Sequence, residues 1–172
     1  MSGPDGAGSA PSFSSREFRD ALGLFPTGVV VVTTTDAVGR PVGITVNSFA
    51  SVSLTPPLVL FSVGRTLRSF ETFAAAPGFT INLLGEDQAE LSNRFARAGE
   101  DKWRDVDGRP GRLGGRVIEP NLAAFDCRTH ARYEGGDHLI IVGEVLAIEY
   151  GTKDRPLVFF RGRYHAVDTA TS

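Results

Sequence analysis

The sequence predicts a mainly β protein whose strands form a closed or partly closed barrel with a few flanking helices. Short β-branched and apolar runs alternate with turns rich in Gly and Pro, so predicted strands outnumber predicted helices. Most strands that are neighbours in the sequence are expected to pair in the antiparallel direction. Because closure of a sheet removes its exposed edges, a barrel is the natural architecture for such a chain.

The chain has 172 residues, of which 41% are hydrophobic, enough for one domain with a substantial core. Apart from Met1, residues 1–12 are Gly, Ser, Ala and Pro with Asp5 as the single charged side chain, and we expect them to form a disordered arm. Residues 13–172 are expected to form a single domain. No repeat, low-complexity core or internal linker interrupts this region.

Composition also excludes several classes of function. The formal net charge is −2, with 18 basic and 20 acidic residues mixed along the chain, which argues against nucleic-acid binding. Cys127 is the single cysteine, which rules out an internal disulfide and suits a reducing cytoplasm. No apolar stretch approaches the roughly 20 residues of a membrane span, and no signal-peptide pattern is visible. We therefore expect a cytoplasmic protein.

The N-terminal half begins with a helix. Ser14 or Ser15 is a plausible N-cap, and the helix should end before Pro26. Its apolar face carries Phe18, Ala21, Leu22 and Phe25 at helical spacing. Strands are predicted at 28–35, 42–53, 58–63 and 79–84, and helices at 66–76 and 86–98.

The C-terminal half is predicted to be almost entirely β. Residues 99–120 are rich in Gly, Arg and Asp and are expected to form a long ordered loop. Strands at 125–134 and 139–150 are separated by Gly135-Gly136, a strong hairpin signal. A last long strand is expected at 157–167.

Standard catalytic signatures are absent from the sequence. It contains no phosphate-binding loop of the Walker type, no metal-spaced His/Cys cluster, no Gly-x-Ser-x-Gly and no Gly-x-Gly-x-x-Gly after a strand. Cys127 lies in a predicted strand, where a lone cysteine is usually a small buried hydrophobe. His130 and His165 also lie in predicted strands, and both are interpreted as structural.

The segment 43–58 is unusually polar for a stretch between two apolar strands. It could be an edge strand with a polar outer face, since alternation places Thr45, Asn47, Ser51 and Ser53 together. It could equally line a ligand groove. The pyrimidine edge of a flavin presents carbonyls and an N–H to backbone and Asn groups, while its ring system needs an apolar wall.

Two further segments could bind ligand groups. Residues 62–69 join a strand to a predicted helix start, where free N–H groups, hydroxyls and two arginines would suit a flavin phosphate. The simpler alternative is an ordinary N-cap at Thr66 with arginines in solvent. His138 follows the turn at Gly135-Gly136-Asp137. Most such histidines are merely exposed, but one aimed into a groove could hold a nicotinamide carboxamide or phosphate.

Taken together, these segments resemble the short-chain flavin reductase family, the reductase components of two-component flavin-dependent monooxygenases. The resemblance runs over nearly the whole ordered chain, from Phe18 to Val167. The order and spacing of its motifs are more specific than any one of them. They are Phe25-Pro-Thr-Gly-Val29, the segment 43–58, Asn82-Leu-Leu84, Asn93-Arg-Phe-Ala96, Gly136-Asp-His138 and Gly143-Glu-Val145.

The resemblance implies an FMN-binding split barrel, a Greek-key antiparallel barrel that is usually a homodimer, with flavin near the subunit interface. It implies hydride transfer from NADH or NADPH to FMN or FAD, and delivery of reduced flavin to a monooxygenase. By carry-over, the isoalloxazine and ribityl chain would contact Thr45, Val46, Asn47 and Ser48, with Ser51 and Ser53 close by. The phosphate end would lie at Ser62, Val63, Gly64, Arg65, Arg68 and Ser69, with a smaller contribution from Asn93 and Arg94. His138 would be the catalytic candidate that seats NAD(P)H, near Phe160, Arg161 and Tyr164.

Two other functions remain open at this level. The chain could be a flavin-binding module that stores, carries or senses FMN without turnover, in which case His138 would be dispensable. It could also be a related split-barrel enzyme that uses another ligand, such as pyridoxamine phosphate. The sequence does not distinguish FMN from FAD or NADH from NADPH.

Overall fold

The computed structural model describes residues 12–99 and 101–167. The predicted disordered arm at 1–12 therefore lies outside the described residues except for Ser12. The helices are α1 Ser15–Leu22, α2 Phe70–Ala75 and α3 Ala89–Ala96. The strands are β1 Thr27–Gly28, β2 Val30–Thr35, β3 Pro41–Val46, β4 Ala50–Leu54, β5 Pro57–Gly64, β6 Gly78–Leu83, β7 Gly108–Pro110, β8 Arg116–Ile118, β9 Ala123–Gly135, β10 His138–Tyr150, β11 Leu157–Phe160 and β12 Arg163–Ala166.

One seven-stranded sheet dominates the molecule. Its strand order is β3-β2-β6-β9-β10-β5-β4, and a three-stranded sheet β1-β11-β12 and the ribbon β7-β8 accompany it. Every pairing is antiparallel. This architecture confirms the predicted mainly β, antiparallel fold with few helices.

The second strand is buried on both of its faces. Val30 and Val32 point into a core inside the curved sheet that includes Phe61. Val31, between them in the sequence, packs on the opposite side with Phe95 of α3. Successive residues of a strand point to opposite faces, so an uninterrupted β-branched run is what a strand covered on both sides requires.

The two edges of the large sheet are joined by residues 47–49, which connect β3 to β4. The Ser48 hydroxyl bridges this connection to β5: its Oγ accepts from the backbone N–H of Ser62 at 2.9 Å and donates to the Ser62 carbonyl at 3.4 Å. The sheet therefore curves until β3 approaches β5. The predicted single run of β residues over 42–53 is in fact two strands at opposite edges.

The first helix begins where the sequence predicts. Ser14 is its N-cap, and Glu17 completes a capping box in which each residue bonds the other's backbone N–H. No residue of α1 is buried. The apolar face predicted for this helix is therefore exposed on the isolated chain.

The second helix is shorter than predicted. It begins at Phe70 rather than Thr66, and Ser69 at its N-cap makes no side-chain bond to the helix. Residues 64–69 form turns instead, with the Leu67 N–H donating to the Gly64 carbonyl at 3.1 Å. The N-cap at Thr66 considered from the sequence is wrong.

Two predicted C-terminal elements also differ from the structure. The segment 99–120 contains the hairpin β7-β8, so it is not a loop throughout. The segment expected as one strand at 157–167 is the hairpin β11-β12, turned at Arg161 and Gly162, whose φ angles are 50° and 75°. Two successive positive φ values give the turn that matches the twist of paired strands.

The three residues interpreted as structural all lie in strands. Cys127 is fully buried in β9, and burial raises the pKa of its thiol to about 12, with a smaller contribution from Asp126. The thiol therefore stays protonated and acts as a small hydrophobe. His130 and His165 lie in strands β9 and β12. Within residues 12–99 and 101–167, none of the helices has both the length and the apolar character needed to cross a membrane.

Candidate active site

A large depression, here called the open groove, lies beside the end of β3 and has a volume of about 1160 Å³. One wall is α1 and the loop after it, and the other is built from strand ends and the β11-β12 turn. The side chains from outside α1 and its loop are Thr27, Asn47, His138, Phe159 and Arg161.

Asn47 and His138, which are far apart in the sequence, meet at this groove. Pairing of β10 with β5 sets His138 opposite Gly64, and the closure at Ser48 and Ser62 brings the end of β3 to the same place. Asn47 is exposed, and no described group bonds to its carboxamide. Its oxygen and amide hydrogens are therefore available to a ligand.

The imidazole of His138 is held by its neighbour. Its Nδ1 lies 2.8 Å from Oδ1 of Asp137, and about half of the side chain is exposed. The hydrogen bond to His138 lowers the pKa of Asp137. Because Nδ1 is occupied by this contact, Nε2 is the ring nitrogen left for a molecule in the open groove.

Arg65 braces the hairpin that carries His138. Its backbone N–H donates to the Asp137 carbonyl at 2.9 Å, and its Nε donates to the Gly136 carbonyl at 3.3 Å. Its guanidinium also forms an ion pair with Glu134 and lies 5.3 Å from the Phe70 ring centroid. Arg65 is thus bonded to the protein on several sides. Arg68 lies elsewhere, in the lining of a second site.

That second site, here called the cationic cavity, lies beside β3 and has a volume of about 320 Å³. It is bounded by β3, by the turn that precedes α2 and by the C-terminal end of α3 with the segment after it. Its polar and aromatic lining includes Asp36, Thr45, Arg68, Ser69, Thr72, Arg97, Lys102 and Trp103. Thr45 and Asn47 lie two positions apart near the end of β3, so the cavity and the groove adjoin there.

A hydrogen-bonded cluster joins β3, α3 and β12 behind these two sites. Thr45 Oγ1 donates to the Ser92 carbonyl at 2.6 Å, and the Ser92 hydroxyl lies 2.8 Å from the Tyr164 hydroxyl. Tyr164 donates to Oδ1 of Asn93 at 3.2 Å. The structure thereby brings together three predicted site residues, Thr45, Asn93 and Tyr164. The neighbouring Arg94 instead donates to the Arg104 carbonyl at 2.6 Å.

Other predicted site residues take positions away from both sites. The side chains of Val46 and Val63 pack with the barrel core, and the two residues pair with Val30 and Leu139 of neighbouring strands. Ser51 and Ser53 lie on the edge strand β4 and line neither the groove nor the cavity. Ser53 Oγ accepts from the Thr55 N–H at 3.2 Å.

Phe160 contacts residues of its own hairpin. Its ring centroid lies 5.9 Å from that of His165, and the Arg161 guanidinium carbon lies 5.3 Å from the Phe160 centroid. The neighbouring Phe159 faces the open groove instead. Of the predicted cluster on the last strand, Arg161 lines the groove with His138, whereas Phe160 and Tyr164 do not, and Phe159 was missed.

Several lining residues were missed by sequence reasoning. In the open groove they include Arg16, Arg19 and Phe159, and in the cationic cavity Arg97, Lys102 and Trp103. The available sequence signal for the cavity was the pair Lys102-Trp103. It combines the one tryptophan of the chain with one of its two lysines, in a segment with little predicted secondary structure.

The lining of the open groove suits a flat ligand with polar edges. Thr27 Oγ1 is buried there without a hydrogen-bond partner among the described residues. A buried hydroxyl without a partner costs stability, and a ligand group can remove that cost. Asn47 adds an amide, and Phe159 an aromatic surface. These residues fit the polar edge and apolar face of an isoalloxazine.

The described residues also bear on metals. Among residues 12–99 and 101–167, no group of three or more His, Cys, Asp or Glu side chains is placed to hold a metal ion.

Comparison with known proteins finds relatives that match most of this chain. The chain is 48% identical over 151 residues to an NADH-dependent FMN reductase of Agrobacterium fabrum, covering 88% of this chain and 85% of that protein. It is 38% identical over 164 residues to the reductase subunit of a flavin-dependent monooxygenase of Rhodococcus jostii, covering 95% and 84%. It spans only 45% of the length of another curated relative.

Solved structures agree with these relatives. An NADH:FAD oxidoreductase of Streptomyces globisporus, in complex with NAD and FAD fragments, superposes with a TM-score of 0.85 at 35% identity, covering 91% of this chain and 94% of that chain.

 The family model of the flavin reductase-like domain matches residues 22–168, which include the cationic cavity and all of the open groove except Arg16, Arg19 and Asp20 of α1. The chain therefore belongs to the flavin reductase-like family.

Proposed function

We propose that the chain is an NAD(P)H:flavin oxidoreductase that supplies reduced flavin to a separate monooxygenase. The observation that carries this proposal is the meeting of Asn47 and His138 at one groove of about 1160 Å³. A groove of that size has room for two flat ring systems, and Asn47 and His138 reach it from separate segments, the connection after β3 and the start of β10. The reaction passes a hydride from the reduced nicotinamide to the flavin, and the cofactors themselves supply this chemistry.

The task of the protein is to bind and orient the two rings. In the proposal, the Asn47 carboxamide bonds the pyrimidine edge of the flavin, and the free Thr27 hydroxyl lies in the same groove. His138 holds the nicotinamide side, with its ring fixed through Nδ1 by Asp137. Correct relative placement of two reactants supplies a large part of a rate enhancement, which explains a site without an acid–base pair.

The wider set of predicted flavin contacts is retained as part of the proposal with distinct roles. The Ser48 hydroxyl bonds the Ser62 backbone and shapes the corner rather than offering a free hydroxyl. Arg65 positions the His138 hairpin. Arg68 and Ser69 line the cationic cavity, where a flavin phosphate would find positive charge.

The proposed activity is tested by anaerobic assay of the purified protein. NADH or NADPH should be oxidised when FMN, FAD or riboflavin is added, and the flavin should be bleached in equal amount. No oxidation with any flavin would contradict the proposal. Tight flavin binding without nicotinamide-dependent bleaching would favour a carrier or sensor module instead.

Replacement of Asn47 by Leu should weaken flavin binding by about 1–3 kcal/mol, because polar atoms of the ligand lose their partner. Fluorescence titration measures the dissociation constant. Asn47 is exposed, so the melting temperature should change little. Ala37→Leu, at an exposed turn position outside both sites, is the matched control. An unchanged dissociation constant for Asn47→Leu would remove Asn47 from the flavin site.

Replacement of His138 by Ala should raise the KM for the nicotinamide about tenfold, the effect of losing one hydrogen bond to a ligand of roughly 1.4 kcal/mol. The KM for the flavin should change much less. Steady-state kinetics with each substrate varied in turn gives both constants. His130→Ala, an exposed histidine in β9, is the control. Equal effects on the two KM values would place His138 elsewhere.

We also propose that the chain forms a homodimer through the surface at α1. Phe18, Leu22 and Phe25 are 51%, 56% and 74% exposed on the isolated chain. An exposed apolar face of this kind marks an interaction surface. Light scattering should give the mass of two chains, and Leu22→Asp should shift it toward one chain. A wild-type mass of one chain would contradict the dimer.

The monooxygenase partner and the cytoplasmic location belong to the same proposal. The Rhodococcus jostii relative is the reductase subunit of a flavin-dependent monooxygenase, which supports an equivalent partner for this chain. The need for reduced nicotinamide and the single, buried cysteine favour the cytoplasm. Fractionation of cells with an antibody to the protein tests the location.

A further inference from the structure

The cationic cavity extends well beyond the point where it adjoins the open groove. It follows β3 from Thr45 back to Pro41, a distance of about 13 Å at the usual rise of a strand. In the proposed function, a flavin with its ring at Asn47 has its phosphate end in this cavity, at Arg68 and Ser69. The cavity therefore offers space past the position of a first phosphate.

Positive charge in the cavity is not neutralised by the described residues. Arg68, Arg97 and Lys102 line it, and none of them forms an ion pair among residues 12–99 and 101–167. Asp36 is the carboxylate in the lining, and its Oδ2 already accepts from Arg40 at 2.8 Å. Three cations around a concave site attract a ligand that carries more than one negative charge.

Lys102 is held in place by neutral groups. Its Nζ donates to the Gly43 carbonyl at 3.2 Å and to the Phe95 carbonyl at 3.0 Å. An ammonium has three donors, so one is left for a ligand. Partial burial lowers the pKa of Lys102, which a bound anion would counteract.

Trp103 supplies an aromatic surface next to these cations. Its ring packs edge-on against Phe95 with centroids 5.0 Å apart, and the Arg116 guanidinium carbon lies 5.5 Å from its centroid. Gly43 permits this packing, since a Cβ there would overlap the Phe95 ring. The Trp103 ring is thereby fixed at the wall of the cavity. A fixed aromatic ring is a platform on which a nucleobase can stack.

We propose that the cationic cavity binds the pyrophosphate and adenosine of FAD, and that the chain prefers FAD to FMN. This inference rests on the proposed flavin reductase function. Arg68 binds the phosphate that FAD shares with FMN, Arg97 and Lys102 bind the second phosphate, and Trp103 stacks with the adenine. The same ADP group occurs in NADH, but His138, the proposed nicotinamide contact, lies in the open groove. The cavity is therefore assigned to the flavin.

The test compares equilibrium binding of FAD, FMN and riboflavin by fluorescence titration without nicotinamide. Wild-type protein should bind FAD at least about tenfold more tightly than FMN, as expected for added charge-assisted hydrogen bonds. In Arg97→Gln combined with Lys102→Met, the FAD constant should weaken about tenfold or more. The FMN constant should stay within about twofold. Arg112→Gln, which removes an exposed positive charge outside the cavity, is the control.

A second measurement uses only the wild-type protein and does not depend on the folding of a variant. ADP should compete with FAD in the titration and leave the affinity for riboflavin unchanged. Equal affinities for FAD and FMN, or equal weakening of both by the double substitution, would overturn the inference. A higher KM for NADH in the double variant with FAD binding unchanged would assign the cavity to the nicotinamide and overturn it too. Each of these results is compatible with active flavin reduction, whereas absence of flavin reduction contradicts the proposed function itself.

Discussion

The short connection between the two edge strands is the constraint on which the rest of the structure depends. Laid flat, the seven-stranded sheet would put its outer strands β3 and β4 about 29 Å apart, at about 4.8 Å between neighbours. The chain from Val46 to Ala50 spans at most about 14 Å. The sheet must therefore curve upon itself, and Ser48 bonds the Ser62 backbone where the two sides approach. Closure also brings Asn47 close to the end of β5 and hence to His138.

The same closure explains why the site is polar. Strand β4 pairs with β5 only as far as Leu60, so the backbone of Ser62 needs another partner at this edge, and the Ser48 hydroxyl provides it. Asn47, one position earlier, has no such structural task among the described residues. The closing segment thus combines side chains that hold the barrel with a side chain that is free to bind. These two roles, closing the barrel and binding a ligand, explain why a polar segment lies between two apolar strands.

The fold could be predicted from the sequence where burial sets a local pattern. The β-branched run at 30–35 predicted a buried strand because both of its faces are covered. The start of α2 could not be predicted in this way. The apolar spacing after Thr66 fits a helix, but the Arg65 backbone is bonded to Asp137 across the sheet, and turns occupy residues 64–69. A long-range contact overrides the local preference there.

The candidate site was predictable in part for a similar reason. Asn47 and His138 belong to compact motifs of the resembled family, and the structure brings both to one groove. Lys102 and Trp103 reach β3 through long-range contacts with Gly43 and Phe95, which no local pattern records. The hairpin turn at Arg161 was missed because position one of such a turn favours Asn, Asp or Gly.

Arg161 connects the groove to the proposed dimer. Its φ of 50° lies in the left-handed region, which is unfavourable for a side chain of this size. Its backbone N–H donates to the Gly23 carbonyl at 2.8 Å, so the turn ties the end of α1 to the β11-β12 hairpin. No residue of α1 is buried on the isolated chain, and this bond is a main attachment of that wall. In the proposed dimer, the partner subunit would cover the apolar face of α1 and hold the wall in place. The shape of the groove, and with it the placement of the two rings, would then depend on assembly as well as on the fold of one chain.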